Sequence, residues 1–251
     1  MTIDMPGLSQ IPDLRRLWQQ AFGDTDDFLD SFFSMAFARE RCRCITANDR
    51  VVAALYWFDC NWEEKKAAYI YAVATDSSHQ GKGYCRMLME DTHSHLKRQG
   101  YALAVLVPGN EGLFRLYEKC GYEGFCPMEQ KTVSAGEQAS PFRQVTATEY
   151  AAARKKYAPA GSVLHHVSAL VFGSAFLKFY VGEDFAFCCA KEDTTANFQE
   201  FLGNAAHLSS ILAGLKAETG NLRLPGGKDY AMYCPLEKEE HRPTYFGIPF
   251  N

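Results

Sequence analysis

Several features that would fix a class of function are missing from this sequence. No apolar run reaches the roughly 18 residues that a membrane-spanning helix needs, so we expect no membrane segment. The first residues, Met1–Pro6, contain no basic region followed by an apolar one, and therefore do not have the pattern of a secretory signal. A net charge of −4 and a pI near 6.0 argue against nucleic acid as a main partner.

Cysteine and histidine spacing offers no metal site. Nine cysteines are an odd number, and without a secretory signal they are expected to be reduced thiols in the cytoplasm. Cys42 and Cys44 share one face of a predicted strand, but no second pair follows at zinc spacing. His93 and His95 fall on a predicted helix, where residues two apart diverge by about 200°. We therefore predict a cytoplasmic protein with buried thiols and no metal.

Apolar and aromatic residues are plentiful. The chain of 251 residues is 47% hydrophobic and includes 18 Phe, which is enough for one large domain or two modest ones. The stretch Ser134–Pro141 has the composition of a linker, so we predict domains over 1–135 and 141–251. Two N-terminal helices, over 14–22 and 27–37, carry an aromatic stripe that is expected to be core rather than pocket.

A glycine-rich turn is the most informative positive feature. Gln80-Gly81-Lys82-Gly83-Tyr84-Cys85 follows an apolar strand pattern over 68–74 and precedes a helical pattern that ends near Leu96. Free backbone N–H groups at a helix N-terminus, together with the helix dipole, bind anions. Glycines allow the backbone to come close to a phosphate. The segment therefore predicts a site for a phosphorylated ligand.

The spacing within this turn excludes two familiar phosphate loops. A nucleotide-binding P-loop has Ser or Thr after its lysine, but Lys82 is followed by Gly83. A dinucleotide-binding turn requires a third glycine, where this chain has Arg86. Gln80, Gly83 and Cys85 do fit the spacing Q-x-x-G-x-small, which resembles the pyrophosphate loop of the GNAT-type, acetyl-CoA-dependent N-acetyltransferases. Cys85 departs from that pattern, because the family usually has Gly or Ala there.

Two further segments extend the resemblance. A strand pattern over 102–107 is followed by Asn110 and then by Leu116–Tyr122, which is similar to the family's L-Y-E-K-x-G-[FY] signature. The predicted element order over about 13–133 is αα-βββ-α-β-α-β, which matches the GNAT fold. The resemblance thus implies a mixed α/β fold with a mixed central sheet flanked by helices.

The resemblance also implies a cosubstrate and roles for particular residues. Acetyl-CoA would be bound by a strand edge, by the glycine turn and by one side chain after the next strand: Tyr71, Ala72, Val73, Gln80, Gly81, Lys82, Gly83, Tyr84, Cys85, Arg86 and Asn110. Asn110 has an equally good interpretation as a helix N-cap. Tyr117 would be the general acid that protonates the departing thiolate, and the alternative for it is a buried structural tyrosine.

A general base is missing from the pattern. The two strands that would carry one offer no carboxylate, and Asp76, His79 and Glu111 have simpler interpretations as turn, loop or first-turn residues. The leading hypothesis is an N-acetyltransferase that acts on a primary amine of a small molecule or peptide. The missing base keeps a non-catalytic acyl-CoA sensor as the alternative, and a protein-interaction module is the third possibility. The oligomeric state is left open.

The C-terminal part carries weaker patterns. Helices are expected over 146–157 and 205–217, strands over 166–180 and 185–190, and a docked apolar tail over 245–250. Leu215-Lys216, Gly220 and Pro225-Gly226 repeat the arrangement that follows the first glycine turn, but Leu202–His207 replaces the turn itself. We therefore predict a tandem protein whose degenerate second GNAT-like half does not bind CoA. An unrelated α/β cap is the alternative.

Overall fold

The computed structural model describes residues 1–238 and 241–250, and in this part of the chain helices alternate with strands. The α-helices are α1 (Ile11–Phe22), α2 (Asp26–Met35), α3 (Tyr84–Arg98), α4 (Glu111–Glu118), α5 (Ala147–Tyr157), α6 (Val167–Gly173) and α7 (Leu208–Leu215). The strands are β1 (Thr2–Asp4), β2 (Cys42–Ala47), β3 (Arg50–Trp62), β4 (Lys65–Thr75), β5 (Tyr101–Leu106), β6 (Glu123–Ser134), β7 (Arg143–Val145), β8 (Ser162–His165), β9 (Lys178–Val181), β10 (Phe185–Glu192), β11 (Thr195–Gly203), β12 (Thr219–Pro225), β13 (Lys228–Pro235) and β14 (Tyr245–Phe246). No helix in the described ranges is both long and apolar enough to cross a membrane.

The chain forms two compact units. The first consists of Met1–Glu123 with Tyr233–Glu240, and the second of Gly124–Met232 with His241–Asn251. The stretch expected to be a linker belongs to the second unit, where the N–H of Gly136 donates to the carbonyl of Ser209 at 2.8 Å. The units therefore differ in extent from the domains over 1–135 and 141–251 that we predict from composition.

The first unit is built on the strand order β1-β2-β3-β4-β5. Neighbours are antiparallel except for β4 and β5, which are parallel. Residues 51–58 of β3 are all buried or nearly so, which means that both faces of this sheet are covered. Helix α1 packs on β3 and β4, and α3 packs on β2 through β5. On α3 the residues that face the sheet are Leu88, Met89, Thr92 and Leu96.

The second unit repeats this topology. Its strand order is β7-β9-β10-β11-β12, again antiparallel except for the parallel pair of β11 and β12. Helices α5 and α6 lie between the first two of these strands in sequence, as α1 and α2 do in the first unit. Its core includes Phe187, Phe198, Ile211 and Leu212. The faint sequence repeat is therefore a repeat of fold, and the chain is a tandem mixed α/β protein.

One predicted strand is wrong. The run expected to be extended over 166–180 contains helix α6 and only the short strand β9 near its end. An apolar run that includes Val167, Leu170 and Val171 is compatible with a buried helix or a buried strand, and periodicity alone does not separate them. The predicted helix over 205–217 begins as a 3₁₀ turn, so its regular part, α7, is shorter than expected.

The apolar tail docks within the second unit, as predicted. Strand β14 pairs in parallel with β8, joining Tyr245 to Ser162 and Phe246 to Val163. Phe246 and Ile248 are fully buried. Burying side chains of this size contributes about 1.5–3 kcal/mol each, which is enough to order a short terminal segment.

Candidate functional site

A β-bulge interrupts strand β4 where the acyl group would be held. Ala54 pairs with Ala74 and Tyr56 pairs with Tyr71. Between these pairs, Leu55 of β3 therefore opposes two residues of β4, Ala72 and Val73. Ala72, one of these two, has a positive φ of 48°, which is unusual for a residue with a side chain. A bulge of this kind bends the strand and changes the direction of its backbone groups.

Strands β4 and β5 separate at the same point. Their pairing runs from Lys66 with Tyr101 up to Tyr69 with Val105 and then ends. Strand β4 continues to Thr75, so Ala72 and Val73 lie beyond the end of its pairing with β5. An open strand edge can accept an extended ligand as an added strand. The opening that the family resemblance requires is therefore present in this unit.

The glycine turn follows directly. Asp76 begins a 3₁₀ turn by accepting from the N–H of Ser78 at 3.0 Å, and the Gln80 side chain donates back to the carbonyl of Thr75 at 3.2 Å. Gly81 and Gly83 both have positive φ, at 73° and 78°. A Cβ placed on either glycine would have no neighbour within 4 Å. The glycines are thus required by backbone conformation, and the space above them is open.

Backbone donors, rather than basic side chains, line the turn. In the described part of the chain, the N–H groups of residues 81–86 donate to no protein acceptor. The ammonium of Lys82 donates to the carbonyl of Ser78 at 2.9 Å, and Arg86 is paired with Glu90 at 2.7 Å. The first turn of α3 contains no acidic residue. An anion at this helix start would therefore be bound mainly by free N–H groups and by the helix dipole.

Asn110 lies at the start of α4 and caps it. Its side-chain oxygen accepts from the N–H of Leu113 at 3.2 Å, which is the usual N-cap bond. The residue is exposed. The structure thus gives Asn110 a structural partner, and contact with a cofactor remains a prediction.

Tyr117 occupies the last turn of α4. Gly121, with φ of 89°, lets the chain reverse there, and the Tyr117 carbonyl accepts from the N–H groups of Cys120 and Tyr122 at 2.9 and 3.1 Å. The side chain is only 7% exposed, and its hydroxyl makes no hydrogen bond in the described ranges. Burial, with smaller effects from the thiols of Cys85 and Cys120, raises the pKa of Tyr117. The phenol is therefore protonated at neutral pH, as a proton donor must be.

A neutral histidine–tyrosine pair lies beside Tyr117. The ring of Tyr122 contacts that of Tyr117 at a centroid distance of 5.9 Å, and its hydroxyl is 2.9 Å from Nε2 of His93. Burial lowers the pKa of His93 to about 4, so the imidazole is uncharged at pH 7. The sequence pattern around His93 suggests only a metal pair with His95 and does not predict this contact.

The acids and bases next to the turn are occupied by structural contacts. Asp76 accepts from the Ser78 hydroxyl at 2.6 Å and from Arg16 at 3.1 Å, and these bonds hold its pKa well below the usual range. The ring of His79 stacks on Tyr84 at 5.9 Å. Both side chains are thus engaged in contacts that hold the turn. No group of three or more metal-ligating side chains occurs in the ranges that the structure describes.

A parallel strand pair that opens at a bulge, followed by a glycine turn at a helix start, is the arrangement that the resemblance to the GNAT family implies. In agreement with this geometry, residues 3–125 match the family model described as an acetyltransferase (GNAT) domain. This match places residues 3–125 in the GNAT N-acetyltransferase superfamily, whose members are acyltransferases. A comparison with curated proteins gave no match.

Solved structures show the same fold over almost the whole chain. A GCN5-related N-acetyltransferase from Anabaena variabilis is 15% identical, with a TM-score of 0.74. The superposition covers 94% of this chain and 73% of that protein. A putative acetyltransferase from Pyrococcus horikoshii is 12% identical, with a TM-score of 0.68, and the superposition covers 98% of this chain and 93% of that protein. A tandem GNAT protein from the clavulanic acid biosynthesis pathway is 9% identical, with a TM-score of 0.55, covering 95% and 100%. At these identities the likeness concerns the fold alone.

Proposed function

We propose that this protein is an N-acetyltransferase that moves the acetyl group of acetyl-CoA directly to a primary amine of a small molecule or peptide. The observation that carries the proposal is the open, donor-lined turn at Gly81 and Gly83, which lies in the same unit as the buried phenol of Tyr117. All nine cysteines are free thiols, which agrees with a cytoplasmic setting.

In this proposal each segment of the site has one task. The free N–H groups of the glycine turn bind the pyrophosphate, and the Tyr71–Val73 edge bonds the pantetheine amides. An N–H of the same edge polarises the thioester carbonyl. The amine nitrogen attacks this carbon, the C–N bond forms and the C–S bond breaks. Tyr117 gives its proton to the departing thiolate, the nitrogen loses its extra proton to water, and water returns a proton to the Tyr117 oxygen.

The test is a Tyr117→Phe variant assayed by release of free thiol in the presence of an amine. Removing one hydroxyl from a buried ring leaves the packing nearly unchanged. We expect kcat to fall by about 10²–10³, which is typical for loss of a general acid, while the affinity for acetyl-CoA stays within about twofold. An unchanged kcat would remove Tyr117 from the mechanism.

A non-catalytic acyl-CoA sensor is the second candidate. It is favoured by one observation, namely that no carboxylate lies on the β4 edge at Tyr71–Val73 or on β5. A sensor would bind acetyl-CoA but release no thiol with any amine. A panel of amines that gives only the background rate of hydrolysis would favour this candidate.

A further inference from the structure

A cavity of about 420 Å³ lies in the first unit at the C-terminal end of α3. It is lined by His95 and Gln99 of α3, by the first residues of β2 and β5 and by the second half of β3. His95 lies about 16 Å along α3 from Tyr84, at a rise of about 1.5 Å per residue. At this end β4 and β5 are paired, since Lys66 lies opposite Tyr101. The cavity is therefore separate from the open strand edge and from the glycine turn.

Three uncharged aromatic side chains line this cavity. The indole of Trp57 is 4% exposed, and its ring lies 5.9 Å from that of His95. Burial, with a smaller effect from the charge of Arg43, lowers the pKa of His95, so the imidazole is uncharged at pH 7. Burial, followed by the carboxylate of Asp59, raises the pKa of Tyr101, so the phenol is uncharged as well. Aromatic walls of this kind suit a ligand that contains an aromatic ring.

The charges in the interior of the cavity are paired within the protein. Arg41 donates to one oxygen of Asp59 at 3.3 Å, and the hydroxyl of Tyr101 donates to the other. Arg43 donates to Asp91 at 2.7 Å. These groups therefore need no counter-ion from a ligand, and they fix the shape of the cavity floor.

Two unpaired charges of opposite sign remain among the lining residues. The ammonium of Lys66 donates to the carbonyl of Gln99 at 3.4 Å and lies 5.8 Å from the ring centroid of Tyr101, but it forms no ion pair within residues 1–238 and 241–250. Glu40, in the 3₁₀ turn Arg39–Arg41, is exposed and makes no hydrogen bond or ion pair in the same ranges. A ligand with a single charge would leave one of these two groups next to a like charge or without a partner.

We propose that this cavity binds a free aromatic amino acid in its zwitterionic form. The ligand carboxylate pairs with Lys66, the ligand ammonium pairs with Glu40, and the aromatic ring lies against Trp57 and His95. A zwitterion matches the two unpaired charges without adding net charge, and the cavity volume falls in the range of about 300–1,000 Å³ that small-molecule sites have. The site lies outside the proposed acetyl transfer and does not depend on it.

The experiment compares three ligands by titration calorimetry of the wild-type protein. L-phenylalanine carries both charges, 3-phenylpropionate lacks the ammonium, and phenethylamine lacks the carboxylate. We expect each analogue to bind about three- to fivefold more weakly than L-phenylalanine, which corresponds to the loss of one exposed ion pair. L-alanine, which lacks the ring, should bind at least about tenfold more weakly.

Two substitutions of exposed residues assign each charge to its partner. In Lys66→Met the ligand carboxylate has no partner, so L-phenylalanine and phenethylamine should bind equally. In Glu40→Gln the ligand ammonium has no partner, so L-phenylalanine and 3-phenylpropionate should bind equally. Lys97→Met and Glu64→Gln make the same changes of charge at exposed residues that do not line the cavity, and both should keep the wild-type order of the three ligands.

The inference is overturned if L-phenylalanine binds no more tightly than both analogues, or if the wild-type order survives in either Lys66→Met or Glu40→Gln. A titration with L-phenylalanine in saturating CoA separates the two sites. We expect the affinity for L-phenylalanine to stay within about twofold, and competition with CoA would also overturn the inference. None of these measurements requires acetyl transfer, so this site and the proposed function can fail independently.

Discussion

The two halves of the chain share one topology but differ at the helix that follows the central strand. In the first half, Gly81 and Gly83 leave open space above a helix start with free donors. In the second half, a Cβ on Gly203 would lie 2.5 Å from the carbonyl oxygen of Asp184, and Asn204 accepts from the N–H of Ala206 at 3.0 Å. Asp76 caps the corresponding 3₁₀ turn of the first half in the same way, by accepting from the N–H of Ser78. The difference is that the glycine turn lies between this 3₁₀ turn and α3, whereas α7 follows the 3₁₀ turn of the second half directly. The comparison shows that a few residues decide whether this fold has a glycine turn with free N–H groups before its helix.

The region behind the bulge differs as well. Strand β11 also has an irregularity, between its pairs with Cys188 and Cys189, and next to it lies Glu200. Arg154 donates to both oxygens of Glu200, at 2.7 and 2.9 Å, and Tyr150 and Tyr245 complete the group. All four residues are buried. In the first half the residue after the bulge is a buried alanine, so the charged network is particular to the second half and joins its tail to its sheet.

The largest expected effect comes from breaking this network. Glu200→Gln leaves the Arg154 guanidinium buried without a counter-ion, which should lower the free energy of unfolding by about 3–5 kcal/mol. Denaturant unfolding measures the loss. The double variant Arg154→Met with Glu200→Gln should recover part of it, because no unpaired charge remains. A loss below about 1 kcal/mol in the single variant would mean that the second half is not held together here.

Replacing glycine by alanine should mainly lower stability in the second half and mainly lower the affinity for acetyl-CoA in the first half. Gly203→Ala adds a clash with the backbone of Asp184 at a φ of 118°, and should cost more than about 2 kcal/mol of stability while the affinity for acetyl-CoA stays near wild type. Gly83→Ala has space for its Cβ but places it where a phosphate would approach, so affinity should fall at least about tenfold with a smaller cost in stability. Calorimetry and thermal unfolding of both variants test this. Equal effects on affinity would abolish the contrast.

Each half also contains a histidine shielded from water: His93 is partly buried and His165 is buried. Burial lowers the pKa of His93 to about 4 and that of His165 well below its ordinary value. Between pH 6.5 and 4 the unfolded chain binds a proton that folded His93 does not, so stability falls as the pH falls through this window. His93→Gln can still bond the Tyr122 hydroxyl. We expect its loss of stability between pH 7 and 4.5 to be smaller than that of wild type by about 2 kcal/mol. Identical pH profiles would contradict the assignment.

Much of the first half could be predicted from its sequence, because its signals are local. The strand, turn and helix around Gly83 and the core position of Trp18 each depend on neighbouring residues, and both are confirmed. The tandem fold was visible as a faint repeat and is confirmed by topology. The roles of Tyr117 and of the acyl-CoA contacts remain predictions.

The features that the sequence did not predict depend mainly on contacts between residues far apart in the chain. The bond between His93 and Tyr122 joins residues 29 apart, and no local pattern marks it. The misassigned stretch at α6 failed for another reason, since a short, fully apolar run has no period that separates helix from strand.

The central claim is that the first half alone binds the acyl-CoA. The most direct test is a calorimetric titration of the wild-type protein with acetyl-CoA that measures the number of sites per chain. The account predicts one site per chain, whose binding is lost or strongly weakened in Gly83→Ala. Two sites per chain, or a single site that survives Gly83→Ala but disappears in Gly203→Ala, would contradict it.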